Sequence, residues 1–194
     1  MRHGESEGNA KGVFTGRIDS PLTERGRGQA RTVAAALRPI HFDRIVSSAL
    51  SRTRDTAAEI AKGRGITVEP IADLNEIDVG IAAGKPFDEL RGLPGVSDED
   101  GWRQWPEGES LQQVHDRTLR VIDRLVAESP GKTLCVIGHG GVTRILVSGF
   151  MGVLPKLIRL PATNTNITIV THDPTDGYVV QEMFKDSHVA EAGT

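Results

Sequence analysis

The sequence predicts an α/β fold, a three-layer sandwich with a largely parallel central sheet. Three observations point to it. Short runs rich in aliphatic and β-branched residues alternate with segments of helical period, the pattern of strand–helix–strand units. One run, Leu134-Cys135-Val136-Ile137, is apolar at every position, as suits a strand covered on both faces. The unusual polar residues fall where a strand hands over to a loop or helix, and open α/β sheets build their ligand sites there.

In chain order, Ser20-Pro21-Leu22-Thr23 and the charges after it open a helix. Ala30, Val33, Ala34 and Leu37 continue it at i, i+3, i+4 and i+7 until Pro39 stops it. Phe42 to Ser48 reads as a strand carrying Ile45 and Val46, and Ser51 to Lys62 as a helix closed near Gly63 and Gly65. Ile66 to Pro70 is a short strand. Residues 75–108 hold no sustained period but many glycines and prolines, and read as an irregular excursion with a short helix near Phe87 to Arg91; such excursions often carry specificity. Glu109 to Ala127 is the clearest helix, with Leu111, Val114, Thr118, Val121, Ile122 and Leu125 on one face. Thr133 to Gly138 is the buried strand, and Gly141 to Gly152 returns to helix. Asn166 to Thr171 and Tyr178 to Met183 are strands around the turn Asp173-Pro174-Thr175-Asp176-Gly177, a hairpin. Glu191 to Thr194 reads as a loose tail.

The chain has 194 residues, 38% of them apolar, enough for one core, so a single domain over 1–194 is expected. Aromatics are only 4%, so aliphatic residues must build that core. A net charge of −3 leaves no basic footprint for nucleic acid or an anionic membrane. No stretch approaches the roughly 18–20 apolar residues that span a bilayer, and the polar start Met1-Arg2-His3-Gly4-Glu5 is no signal peptide. The one cysteine, Cys135, fits a reducing compartment and a place in the core. The cytoplasm is the expected address. The paired C-terminal strands leave a homodimer open.

Four segments carry the chemistry: Arg2-His3-Gly4-Glu5-Ser6, Ser47-Ser48-Ala49-Leu50-Ser51-Arg52-Thr53, Leu74-Asn75-Glu76 and Gly138-His139-Gly140-Gly141. A phosphoryl group in transfer spreads negative charge over its oxygens, and fixed cationic donors stabilise it. Arg2 and Arg52 offer planar forks for that task. Neutral imidazole has a free lone pair near pH 7, so His3 is the candidate nucleophile, with a nearby carbonyl to fix its tautomer. His139 stands before two glycines at a helix start, where N–H groups favour an anion. Glu76 is the carboxyl to protonate the leaving oxygen. Each residue alone has a plainer reading as surface or turn; the four segments together are specific. His41, His115, His172 and His188 are assigned no role.

Here the chain resembles the histidine phosphatase superfamily, the branch with cofactor-dependent phosphoglycerate mutases and small phosphatases. The match runs through Arg2-His3-Gly4-Glu5-Ser6 with Asn9, and through Thr15-Gly16-Arg17-Ile18-Asp19-Ser20-Pro21-Leu22-Thr23 with Gly26 and Gln29-Ala30. It continues in Ser47 to Ala57, Gly108-Glu109-Ser110 and His139-Gly140-Gly141. The resemblance implies a phosphoglycerate mutase-like fold, with His3 phosphorylated, Arg2, Arg52 and His139 binding the phosphoryl group, and Glu76 donating the proton. It also implies that Ser6, Asn9, Thr15, Gly16 and Gly140 line the phosphate and substrate site. The substrate would be a small-molecule phosphate ester, without metal or organic cofactor; a mutase would need 2,3-bisphosphoglycerate to prime its histidine.

Three departures stand out. Relatives carry a short apolar strand ahead of the Arg-His-Gly motif, whereas only Met1 precedes it here; its loss would cost several kcal/mol out of about 5–15, and suggests a start placed too far downstream or a truncation. Mutases resemble Glu-Arg-His-Tyr-Gly where this chain has Glu76-Ile77-Asp78-Val79-Gly80, and they carry a longer basic insertion. Gly138 stands where relatives more often have serine, with little expected consequence. Three functions follow in order: a phosphomonoester hydrolase working through phosphohistidine, a cofactor-dependent phosphoglycerate mutase, and a non-catalytic phospholigand-binding protein should His3 be poorly held.

Overall fold

The computed structural model describes residues 1–90, 104–158 and 161–187. In chain order it contains α1 (Glu7–Ala10), α2 (Glu24–Ala36), β1 (Arg44–Ser48), α3 (Ser51–Ala61), β2 (Val68–Ile71), α4 (Leu111–Ala127), β3 (Leu134–Ile137), α5 (Gly140–Phe150), β4 (Ile167–Asp173) and β5 (Gly177–Lys185). Single 3₁₀ turns lie at Ala72–Leu74, Gly80–Ala82 and Phe87–Leu90. The expected helices and strands are all present within a few residues. The last of these turns stands where a short helix was expected; Arg91 and the rest of the excursion to 103 lie outside the described residues, as does the tail. The four-residue α1 was not foreseen, because it is too short to show a period.

β1 lies between β2 and β3, parallel to both, with Ile45 opposite Val68 and Cys135. Successive side chains of a strand face opposite sides, and the sheet is covered accordingly. Ile45, Cys135 and Ile137 pack against Val33 of α2 and Ala57 and Ile60 of α3. Val46 packs on the other face with Leu74 and with Val121 and Leu125 of α4, joined by half-buried Leu134 and Val136. A third cluster, including Ile77, Val79, Trp105, Val114, Val142 and Ile145, fills the space between α4, α5 and the excursion. The layers are therefore helix, sheet and helix, as the alternating pattern required.

β4 and β5 form the expected antiparallel hairpin. Asp173 Oδ1 accepts from the Thr175 N–H at 2.7 Å, and Gly177 takes a positive φ of 71° to close the turn. The Tyr178 ring stacks on Phe150 of α5 at 4.4 Å, and its hydroxyl donates to Asp123 Oδ1 of α4 at 2.6 Å.

Residues 1–3 lie between β3 and the start of β4. The Met1 ammonium donates to Val136 O at 2.7 Å, Gly138 N to Met1 O at 2.8 Å and His3 N to Gly138 O at 3.1 Å. On the opposite side Arg2 N donates to Asn166 O at 3.1 Å and Thr165 N to His3 O at 3.3 Å. His3 is thus held by main-chain bonds from two directions, although it stands third in the sequence. Gly138, where a serine was the commoner choice, supplies two of those bonds from its backbone. Among the described residues no helix is long and apolar enough to cross a membrane.

Candidate active site

The site forms at the carboxyl ends of the parallel strands, where β1 runs into α3, β3 into α5, and β2 through a 3₁₀ turn into Glu76. His3, Arg52 and His139 are buried at 3%, 1% and 0% exposure. The His3 and His139 rings meet edge to face, with centroids 5.2 Å apart.

His3 Nδ1 lies 2.6 Å from Gly4 O. A carbonyl only accepts, so Nδ1 carries the proton and the Nε2 lone pair is left free. The sequence reading anticipated such a carbonyl. Gly4 can approach because its own Cβ would stand 2.5 Å from Gly26 O, so neither glycine of this pair leaves room for a side chain. Asn164 Nδ2 donates to His3 O at 3.1 Å and Thr56 Oγ1 accepts from Gly4 N at 3.1 Å, so the His3 main chain is fixed on all sides. Burial, and then the charges of Arg52 and Arg2, hold the His3 pKa well below the usual imidazole value. The ring is neutral at pH 7.

Arg52, in the first turn of α3, donates through Nη2 to Gly16 O at 2.9 Å and through Nη1 to Ile18 O at 3.1 Å. Gly16 has a positive φ of 50°, and a Cβ there would meet Ile77 O and Val79 Cγ2 at 2.8 Å. The 15–20 loop is tied to α3 by Asp19, whose Oδ1 accepts from Ser51 N at 2.8 Å and caps a helix that its own N-cap residue, Leu50, cannot cap. Arg2 Nη1 donates to Ala162 O, and its buried Nε has no partner among the described residues. Gly140 lies beside this guanidinium, with room for a Cβ 3.5 Å from Arg2 Nε.

His139 is the N-cap of α5. Its Nε2 lies 2.7 Å from Ser48 Oγ, and its buried Nδ1 has no partner among the described residues. Burial, then His3 and the surrounding arginines, push its pKa well below the ordinary value. The N–H groups of α5 were expected to await an anion. Glu76 occupies two of them: Oε2 accepts from Gly141 N at 3.2 Å and Oε1 from Val142 N at 3.3 Å, with Ile77 N at 3.1 Å. Gly141 makes this approach achievable, since a Cβ would stand 2.7 Å from Glu76 Oε1.

Ser6 and Asn9 form a capping box on α1. The buried Ser6 hydroxyl accepts from Asn9 N at 3.4 Å, and Asn9 Oδ1 accepts from Ser6 N and Asn164 Nδ2, both at 3.2 Å. Among the described residues the Asn9 side-chain amide nitrogen makes no hydrogen bond. Thr15 is half-buried and packs its methyl over Gly8. Among the described residues no group of three or more His, Cys, Asp or Glu side chains could hold a metal ion.

The model of the Histidine phosphatase superfamily (branch 1) matches residues 1–184. The chain belongs to that superfamily. It is 33% identical to the probable phosphoglycerate mutase GpmB of Cronobacter sakazakii, over 97% of this chain and 93% of the relative. It is 32% identical to the adenosylcobalamin/alpha-ribazole phosphatase of Salmonella typhimurium, over 84% of this chain and 80% of that protein. Among solved structures, YhfR of Bacillus stearothermophilus superposes with a TM-score of 0.88 at 29% identity, covering 97% of this chain and 96% of the other.

Within this histidine phosphatase, sequence reasoning left several contributors without a role. Ser48 and Thr53 lie inside the Ser47 to Ala57 match and Glu109 inside Gly108-Glu109-Ser110, so local sequence signals mark all three. Asn164 and the Ala162 carbonyl carry no local signal, because their contacts with His3 and Arg2 span about 160 positions.

Proposed function

We propose that the chain is a phosphomonoester hydrolase acting on a small phosphorylated metabolite through a phosphohistidine at His3. The observation that carries this is the His3 Nδ1 bond to Gly4 O, which leaves Nε2 as a neutral nucleophile in a pocket with Arg2, Arg52 and His139. In the first step the Nε2 lone pair attacks phosphorus in line, and the phosphorus–oxygen bond breaks towards the leaving oxygen. Glu76 gives that oxygen a proton. Of its two oxygens, Oε1 accepts two N–H bonds and Oε2 one, so Oε2 has the larger share of its lone pairs open towards the leaving oxygen. In the second step water attacks the phosphohistidine, the phosphorus–nitrogen bond breaks, and Glu76 takes the proton back. Arg2, Arg52 and His139 stabilise the charge on the transferring oxygens, while Asn9, Thr15, Gly16 and Gly140 line the approach. The Ser6 hydroxyl shapes this wall by capping α1. No metal or organic cofactor enters these steps.

The experiment is phosphate release across a panel of phosphomonoesters, with the acid-labile, base-stable label sought on His3. Turnover unaffected in His3→Ala would sink the reading. Relatedness to a probable phosphoglycerate mutase favours a second reading, the cofactor-dependent mutase. Incubation with 3-phosphoglycerate separates the two: inorganic phosphate marks a hydrolase, and 2-phosphoglycerate formed only with added 2,3-bisphosphoglycerate marks a mutase. The non-catalytic reading rested on a loosely held His3, and the bonds around residues 1–3 argue against it. We read residues 1–194 as one domain working in the cytoplasm; its free, buried Cys135 suits a reducing compartment.

A further inference from the structure

Glu109 has no part in the steps above, yet its carboxylate gathers four N–H donors. Oε1 accepts from Arg117 Nε at 2.7 Å and Arg17 Nη2 at 2.8 Å. Oε2 accepts from Arg117 Nη2 at 3.0 Å and Asp78 N at 2.9 Å. The side chains of Glu109 and Arg117 are 15% and 9% exposed. This is a largely buried, bidentate pair, a far more rigid arrangement than a surface ion pair. Burial raises the Glu109 pKa, but the bonds from Arg117 and Asp78 and the charges of Arg117 and Arg17 outweigh it and hold the group below the usual carboxylate range.

The pair reaches two parts of the site. Arg117 Nη1 donates to Asp73 O at 2.7 Å and Nη2 to Glu76 O at 3.2 Å, so its guanidinium grips the main chain that presents Glu76. Glu109 N adds a bond to Asp78 O at 2.8 Å just beyond. On the other side Arg17 lies between Gly16 and Ile18, the residues whose carbonyls hold the Arg52 guanidinium. One carboxylate therefore links the backbone of the proton donor to the loop that orients a phosphate-binding arginine.

We propose that Glu109, acting through Arg117, is a positioning residue for Glu76, setting the depth at which that carboxyl meets the leaving oxygen. The proposal rests on the reading of Glu76 as proton donor. Its consequence is chemical. Phenolate leaves poorly unless protonated, whereas p-nitrophenolate leaves nearly unaided, so a displaced proton donor harms the first ester far more than the second. A purely structural role would harm both alike.

The test measures kcat/KM, which reports transfer to His3, on phenyl phosphate and p-nitrophenyl phosphate for the wild type, Glu109→Gln, Arg117→Gln and Glu76→Gln. Glu109→Gln keeps the volume and removes the charge that holds Arg117. The expected result is a loss of about tenfold or more on phenyl phosphate and under about threefold on p-nitrophenyl phosphate, with Arg117→Gln alike and Glu76→Gln steeper. In the Glu109→Gln, Glu76→Gln double variant the first substitution should add no further loss. Equal losses on both esters in Glu109→Gln, beside a selective loss in Glu76→Gln, overturn the proposal alone. Equal losses in Glu76→Gln overturn the reading beneath it. If Glu109→Gln does not fold, Arg117→Gln decides by the same comparison.

Discussion

Ser48 Oγ stands 2.7 Å from His139 Nε2 and 2.7 Å from Thr53 Oγ1, joining the second histidine to a chain of buried hydroxyls. Thr53 Oγ1 in turn lies 2.7 Å from Leu50 O and 3.0 Å from Ser48 O. Carbonyls only accept, so the Thr53 proton points to one of them, the Ser48 proton points to Thr53, and Ser48 accepts from His139 Nε2–H. Nδ1 is then bare in the neutral ring. In the proposed mechanism it would donate to a phosphoryl oxygen once both hydroxyls rotate to reverse the chain.

Ser48→Ala removes that control and leaves a buried ring nitrogen without a partner, at a cost of about 1–3 kcal/mol. Loss of transition-state binding on that scale lowers kcat/KM by about 5- to 150-fold. The two residues act as a unit, so the expected loss from Ser48→Ala largely vanishes in a His139→Ala background, as a double-mutant cycle in kcat/KM would record.

Both buried histidines should stay neutral well below pH 6.5, the ordinary imidazole value, because burial dominates both shifts and the neighbouring arginines add to them. An NMR titration should therefore show no protonation of His3 or His139 near that value. The stability consequence follows in sign. The unfolded chain binds protons at these histidines near pH 6.5 while the folded chain does not, so stability falls as pH drops below that point. Glu109 and Asp19, whose folded pKa values are lowered, add losses only at lower pH, below the ordinary carboxylate range. Urea midpoints should decrease from pH 7.5 to 5.5, and an unchanged midpoint would contradict the histidine assignment.

Gly141→Ala places a methyl 2.7 Å from Glu76 Oε1 and 2.8 Å from Ile77 Cδ1. The helix gains about 0.5–1 kcal/mol from the exchange, while overpacking costs about 1–3 kcal/mol. Glu76 therefore gives way, and kcat/KM on phenyl phosphate falls about tenfold or more, a part of the roughly 10²–10⁴-fold a positioned proton donor contributes. Circular dichroism should show the helix content retained.

Arg52→Lys keeps the charge and loses the fork that spans Gly16 O and Ile18 O. A lysine ammonium reaches at most one of these carbonyls in the same position while facing a phosphate. The expected loss is about 100-fold in kcat/KM, as for removal of one oriented transition-state donor. Inorganic phosphate should bind correspondingly more weakly by calorimetry.

The sequence by itself determined the elements and the chemical inventory of this histidine phosphatase. Period and turn chemistry are local properties, so α2, α3, α4 and the β4–β5 hairpin were legible, and the strand ends gave the addresses of His3, Arg52, Glu76 and His139. Only the tertiary structure decided how those groups are held. That His3 is firmly anchored so near the chain start depends on bonds to Val136, Gly138, Thr165 and Asn166, none of them near it in sequence. That Glu76 docks on the α5 N-terminus depends on a missing Cβ at Gly141, 65 positions away. Glu109 could be read as part of a motif, but its grip on Arg117 and Asp78 exists only once α4 is packed beside the excursion. Hydrogen bonds act over about 3 Å, and which distant groups come within that reach is set by packing alone.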